Sequence, residues 1–325
     1  MRATMHAARA MVLLAACLFA GWATAQGAYP VKPIKFILPF GPGSGTDVVA
    51  RIAGDEMASI LKQPVVIEHR AGASGFIAAE MAAKSPPDGY TLFVTSGTTQ
   101  SLNPSLFKKL PYDPVKDFEP VGGLIQAYYV LIVNKDFPAN TLAELIAWLK
   151  ANPGKASYGW GAAVSQVTGS AFLARIGATA TGVAYKSSPQ SVNDLIGGLY
   201  SFTFLDLTTA LGHIRAGRVK AIAVTSPQRN PSLPEVPTMS EAGLPGFTSS
   251  TFIGLFAPAG VPEPIIARVN GALQQALRNP AVSQRLIDCC SAAVHPISPA
   301  DYKEYLKADR KVWAERIAAA GIQPE

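Results

Sequence analysis

Cysteine is scarce in this 325-residue chain, with only Cys17, Cys289 and Cys290 present. The last two are neighbours in sequence, which rarely bridge, so no disulfide framework carries the fold; such residues are more often small buried hydrophobes. Histidine is nearly as sparse. Beyond residue 25, His69, His213 and His295 each stand alone, with no HExxH or paired-ligand spacing. No serine elbow is present either, so an exported α/β hydrolase remains only as an alternative without its usual marks. No basic run accompanies the formal net charge of +6, which argues for solubility and against a nucleic-acid partner. Past residue 25 no stretch reaches membrane-spanning length without charges or prolines.

What the N-terminus does have is the pattern of a removed export signal. Arg2 and Arg9 supply a positive start, Met11 to Trp22 an apolar core, and Ala23-Thr24-Ala25 a small-residue cleavage site before Gln26. Leu14-Ala15-Ala16-Cys17 also resembles a lipoprotein box, but the apolar core continues past Cys17 and the later site is the cleaner one. Cleavage after Ala25 leaves 300 residues of net charge +4, enough for two domains that each bury a core. The expected compartment is the periplasm.

The most informative stretch is Phe36 to Arg51, FILPFGPGSGTDVVAR. An apolar strand, a loop punctuated by Gly41, Gly43 and Gly45, and a helical pattern from Val48 follow one another. A helix start leaves several N–H groups unpartnered and partly positive, and preceding glycines admit a ligand to the bare backbone. The stretch is no Walker loop, dinucleotide fingerprint or nucleophile elbow, since Thr46-Asp47 replaces Lys-Ser/Thr and Pro42 occupies the elbow's first glycine position. Two readings stay open: an oxyanion cradle, or an ordinary strand-to-helix turn capped by Thr46 or Asp47. The charge of Asp47 at the helix start weighs against the cradle.

Around this stretch the pattern predicts strands at 34–38, 64–68 and 90–95 and helices at 47–61 and 74–84, hence right-handed crossovers and a parallel sheet. Ligands of such sheets sit beyond the carboxyl ends of the strands. Residues 39–46 and the hydroxyl-rich loop 95–99 both lie there, so they can converge on one ligand.

A set of spacings runs in one order along the chain. They include Pro39-Phe40-x-x-Gly43-x-Gly45-x-Asp47-x-x-x-Arg51, Arg70-x-Gly72-Ala73-x-Gly75, Pro87-Asp88-Gly89-Tyr90-Thr91 and Leu110-Pro111-Tyr112-Asp113-Pro114. Asp194-Leu195-Ile196-Gly197-Gly198, Leu233-Pro234-x-Val236-Pro237-Thr238 and Ala257-Pro258-Ala259-Gly260 continue the series. In these motifs the chain resembles the Bug family, the periplasmic solute receptors of tripartite tricarboxylate transporters. The resemblance implies an α/β, bilobed periplasmic-binding-protein fold of type II. Two Rossmann-like lobes, 26–125 with 250–325 and 126–249, would share a hinge crossed twice and close on an organic acid without chemistry. It places Phe40, Gly43, Ser44 and Thr46, with Ser96, Gly97 and Thr98, around a proximal carboxylate. It further implies a monomer without cofactor or metal that hands a dicarboxylate, aromatic acid or acidic amino acid to membrane permease subunits. A sensor kinase is the alternative recipient.

In the second lobe, an amphipathic helix is expected over 141–151, with Thr141 as its N-cap, and Asn152-Pro153-Gly154 stops it. Ser157-Tyr158-Gly159-Trp160-Gly161 ends a strand in a glycine loop, with Ser165 or Thr168 as the next helix start. Trp160 either stacks on a flat ligand or packs on its own lobe. Ser188 is the expected cap before Pro189, Tyr185 and Lys186 precede it, and Lys186 pairs with a second carboxylate or is solvated. Asp206, ending the strand 202–205, either caps the following helix or selects an ammonium or hydroxyl donor. The chain departs from the family at Gln166, often histidine, at Ser187, often glycine, and at Trp160, often small and polar. Residues 250–325 are expected to return to the first lobe, ending in a long helix with Trp313 buried. Closure about the two crossings, near Gln126 and Ser249, is the expected motion.

Overall fold

The computed structural model describes residues 29–290 and 293–325. The export signal, Cys17 and the cleavage motif lie outside the described residues. The first strand, β1 (Ile34–Leu38), is buried at four of its five positions and leads through the glycine loop into helix α1 (Gly45–Leu61). Next come β2 (Val65–His69), α2 (Phe76–Ala83) and β3 (Thr91–Ser96). β1 pairs parallel to both β2 and β3, as the alternation of strand and helix predicts. Helix α2 begins two residues later than the pattern suggests, because Ser74 and Gly75 take left-handed φ angles of 52° and 85° that a helix cannot hold. After β3 the chain does not open into a loop. It winds into a π-helical turn, Thr98–Leu102, and a short helix α3 (Asn103–Leu106).

The strand β4 (Phe118–Asn134) is 17 residues long and organises the molecule. Its first part, through Tyr128, pairs antiparallel with β9 (Ser250–Pro258); from Tyr129 onward it pairs with β7 (Phe202–Asp206) and β8 (Val219–Val224). One strand therefore belongs to the sheets of both lobes. The second sheet is completed by β5 (Ser157–Trp160) and β6 (Thr181–Ala184), parallel to each other, with β5 also parallel to β7. Each lobe is thus mixed rather than wholly parallel, since β9 runs antiparallel to β3 as well. Helices α4 (Leu142–Ala151), α5 (Ala163–Ile176), α6 (Ser188–Ile196) and α7 (Leu207–Arg215) cover the second sheet. α8 (Glu263–Arg278), α9 (Pro280–Cys290), the short β10 (Ala293–Val294) and α10 (Pro299–Ala319) finish the chain.

The two crossings are tied to one another beside the cleft. Thr225 Oγ1 accepts from the Tyr129 amide at 2.9 Å and donates to the Ser249 carbonyl at 2.6 Å. The Thr225 amide donates to the Tyr129 carbonyl at 2.8 Å. Helix α10 adds a third link. Tyr302 and Leu306 pack with Ile37, Phe93 and Phe252 of the first sheet, whereas Trp313 and Ile317 pack with Phe172, Phe204 and Leu131 of the second. Each such burial is worth about 1.5–3 kcal/mol. The C-terminal helix thus straddles both lobes rather than resting on the first alone.

Candidate functional site

The first cradle loop is fixed by Asp47. Its carboxylate accepts from the Gly43 amide at 2.9 Å, lies 2.8 Å from His69 Nε2 and pairs with Arg51 at 3.0 Å. Burial pushes this carboxyl up, but the Gly43 amide, Arg51 and His69 outweigh it and hold the group below the usual carboxylate range. The helix cap is Ser44, not Thr46 or Asp47: Ser44 Oγ accepts from the Asp47 amide while the Ser44 backbone stays extended. Gly43 sits at φ 78°, a conformation only glycine enters readily, which turns the loop.

This arrangement decides which amides remain for a ligand. Gly43 N–H is spent on Asp47 and Ser44 N–H on the Gly41 carbonyl at 3.2 Å. The amides of Gly45 and Thr46, the first two of α1, have no partner among the described residues. Both residues line a small hollow of about 30 Å³ between the lobes, together with Phe40, Ser44, Ser96, Tyr129, Asp206 and Thr251. Phe40 and Ala162 also line a larger, neighbouring hollow of about 270 Å³, open to solvent, whose other walls include Ser74, Thr98, Trp160, Ala163, Gln166, Tyr185 and Lys186.

Ten of the thirteen residues singled out from sequence therefore line these two hollows, and three do not. Gly43 turns the loop without facing either hollow. Gly97 donates its amide to Thr251 Oγ1 at 3.3 Å. Ser165 is buried with an unpartnered hydroxyl in the first turn of α5, which starts at Ala163 rather than at Ser165 or Thr168. Of the second loop's hydroxyls, Ser96 faces the inner hollow and Thr98 the outer, while Thr95 and Thr99 bond each other at 2.7 Å.

The opposite wall comes from the second lobe. α5 follows Ala162, an extended residue without a capping side chain, and α6 follows Ser187, whose side chain makes no cap bond. Ser187, rather than Ser188, is thus the cap position. Asp206 does both things that its sequence position offered. It accepts from Thr209 N and Oγ1, each at 2.9 Å, which caps α7, and it also reaches the inner hollow. Protein surrounds it, and that burial pushes its carboxyl up despite the bonds from Thr209 and Ser188. Across the interlobe boundary, a Cβ on Gly45 would come within 2.7 Å of Asp206 Oδ1, so the lobes already touch here. Sequence reasoning missed Gly45, Tyr129, Thr208 and Thr251. The register that sets Tyr129 opposite Asp206 is a tertiary fact with no local signature.

A two-lobed α/β frame with a ligand-sized hollow between sheets that share a strand defines a periplasmic binding protein. The chain belongs to the tripartite tricarboxylate transporter family receptors, whose family profile matches residues 49–322. It is similar to protein BugT of Bordetella pertussis, 37% identical over 299 residues and 91% of each chain. A structure from R. palustris solved with adipate matches with a TM-score of 0.89 at 30% identity, over 91% of this chain and 100% of that one. MatC of Rhodopseudomonas palustris, solved with bound malate, matches with a TM-score of 0.84 at 34% identity, over 89% of this chain and 100% of that one.

Proposed function

We propose that this receptor captures a small organic carboxylate between its lobes in the periplasm and passes it, unaltered, to the membrane permease subunits of a tripartite tricarboxylate transporter. The observation that carries the reading is the pair of amides at Gly45 and Thr46, without partners among the described residues, at a helix N-terminus that lines a hollow walled on its other side by the second lobe. From the facing lobe α5 offers a second helix start without a side-chain cap. An acid with a carboxylate at each end would meet positive helix ends on both walls. Adipate and malate in the related structures are molecules of that kind.

The residues lining both hollows supply hydroxyls, amides, one cation, Lys186, and one carboxylate, Asp206, and none of them is a histidine or cysteine. Ser44 and Asp206 are each engaged as helix caps, which leaves neither poised as a nucleophile with its base. That is the inventory of a binding site rather than of acyl transfer. The lobes we assign, 26–125 with 250–325 and 126–249, would move about Thr225 and the two strands that it ties. Thermal denaturation with dicarboxylates, citrate, aromatic acids and acidic amino acids tests the reading, using protein freed of any carried-over ligand by unfolding and refolding. A true ligand at 100 times its Kd adds about 2.7 kcal/mol. No shift with any acid of the panel would overturn it.

A further inference from the structure

One wall of the outer hollow is aromatic, and its central ring is held in place before any ligand arrives. Trp160, the last residue of β5, shares a sheet face with Tyr158 on its own strand and with Gly182 and Ala184 on β6, since Tyr158 pairs with Gly182 and Trp160 with Ala184. The Tyr158 and Trp160 ring centroids are 5.1 Å apart. The far edge of the indole occupies the space that Gly182 leaves: a Cβ there would come within 2.6 Å of both Cζ3 and Cη2 of Trp160. Gly182 thus acts as a positioning residue. The indole is wedged over its own sheet and also lines the hollow, with Phe40 and Tyr185 nearby.

Lys186, the cation among the lining residues, shares this hollow, and Gln166 adds an amide. A flat, apolar body laid against a fixed indole costs little ordering entropy, and ring-on-ring contact adds to the area it buries. Resting on the carboxylate-receptor reading, we infer that Trp160, positioned by Gly182, makes this cleft select a planar aromatic acid. The acid bears one carboxylate toward Gly45 and Thr46 and a second polar group toward Lys186 and Gln166. A flexible aliphatic acid of similar carboxylate spacing lacks the stacked face and binds more weakly.

The matched probes are benzene-1,4-dicarboxylate and adipate, titrated by calorimetry into the refolded protein and its variants. The wild type is expected to bind the aromatic acid about tenfold more tightly. Trp160→Ala erases that preference by weakening the aromatic acid more than adipate, and Trp160→Phe restores part of it. Gly182→Ala, which pushes the indole aside without touching a ligand, reduces the preference although the tryptophan is still present. Aromatic binding with no measurable adipate binding also supports the inference, provided that Trp160→Ala weakens it. Equal or tighter adipate binding in the wild type, or a ratio unchanged by Trp160→Ala, overturns the inference alone. Failure of every acid to bind overturns the receptor reading and the inference with it. Should Trp160→Ala not fold, Trp160→Phe and Gly182→Ala decide the matter.

Discussion

Two loops face each other across the cleft, residues 39–46 on one lobe and 160–163 on the other. Both carry a strand into a helix through glycine, yet they are secured in opposite ways. The first is secured by polar side chains: Ser44 caps α1, and Asp47 binds Gly43, Arg51 and His69. The second has no side-chain cap and is secured by packing, with Gly161 lying so close to the Ser187 and Ser188 backbone that a Cβ would overlap it. The difference teaches where spare hydrogen-bonding capacity resides. In the first loop Asp47 consumes one amide in order to present two others, whereas in the second the whole first turn of α5 is left without a side-chain partner. The first loop is therefore sensitive to charge and pH, the second to volume.

The comparison can be broken first at Gly161. Alanine there would force backbone apart in the second lobe and destabilise the protein by about 3 kcal/mol, read by denaturant unfolding. Gly41→Ala, whose Cβ would lie 3.6 Å from Ser187 Oγ, should be tolerated in the same assay. Next comes Asp47→Ala, which removes the polar fastening of the first loop and costs about 2 kcal/mol at neutral pH. The sign follows from linkage: a carboxyl whose folded value is depressed stabilises above its unfolded value, and that contribution is lost as pH falls through the folded value. The gap between wild type and Asp47→Ala should accordingly close on acidification.

Smaller effects sharpen the same contrast. Gly45→Ala puts its methyl against Asp206 of the facing lobe, so affinity should drop about tenfold while the stability of the ligand-free protein, measured by denaturation, hardly changes. Ala162→Ser supplies the missing cap to α5. It should stabilise the free protein by about 1 kcal/mol and weaken ligand binding in calorimetry, because the new hydroxyl competes for the same amides. Asp206→Asn keeps a good cap and removes a buried charge, so stability should rise at neutral pH. Here the folded value is raised, so the wild-type proton is favoured by folding and that contribution fades as pH climbs through it. The advantage of Asp206→Asn should shrink as pH falls, the opposite trend to Asp47→Ala.

Much of this contrast was legible in the sequence, and its limits have physical causes. Thr141 caps α4 as the sequence leads one to expect, and Glu144 completes a reciprocal capping box with it. The β1 loop and the hydroxyl segment after β3 do reach the two hollows, because strand ends in such sheets meet there. The start of α5 was misplaced since Ala162 carries no capping signal and packing alone sets the boundary. The length of β4 was hidden by Pro120, Gly122 and Gly123, which break the strand pattern locally and are absorbed by irregular pairing with β9. The division of α10 between two cores was invisible too, since a single apolar stripe does not say which surface it will meet. Which glycine amides stay free depended on where Asp47 points, a side-chain geometry that no spacing encodes.

The most direct measurement is a crystal structure of the refolded protein with a saturating acid chosen from the thermal screen. The account predicts a carboxylate oxygen within about 2.7–3.2 Å of the Gly45 or Thr46 amide nitrogen, with the lobes closed over it. A bound acid whose oxygens reach Lys186 alone, leaving both amides to solvent, would contradict it.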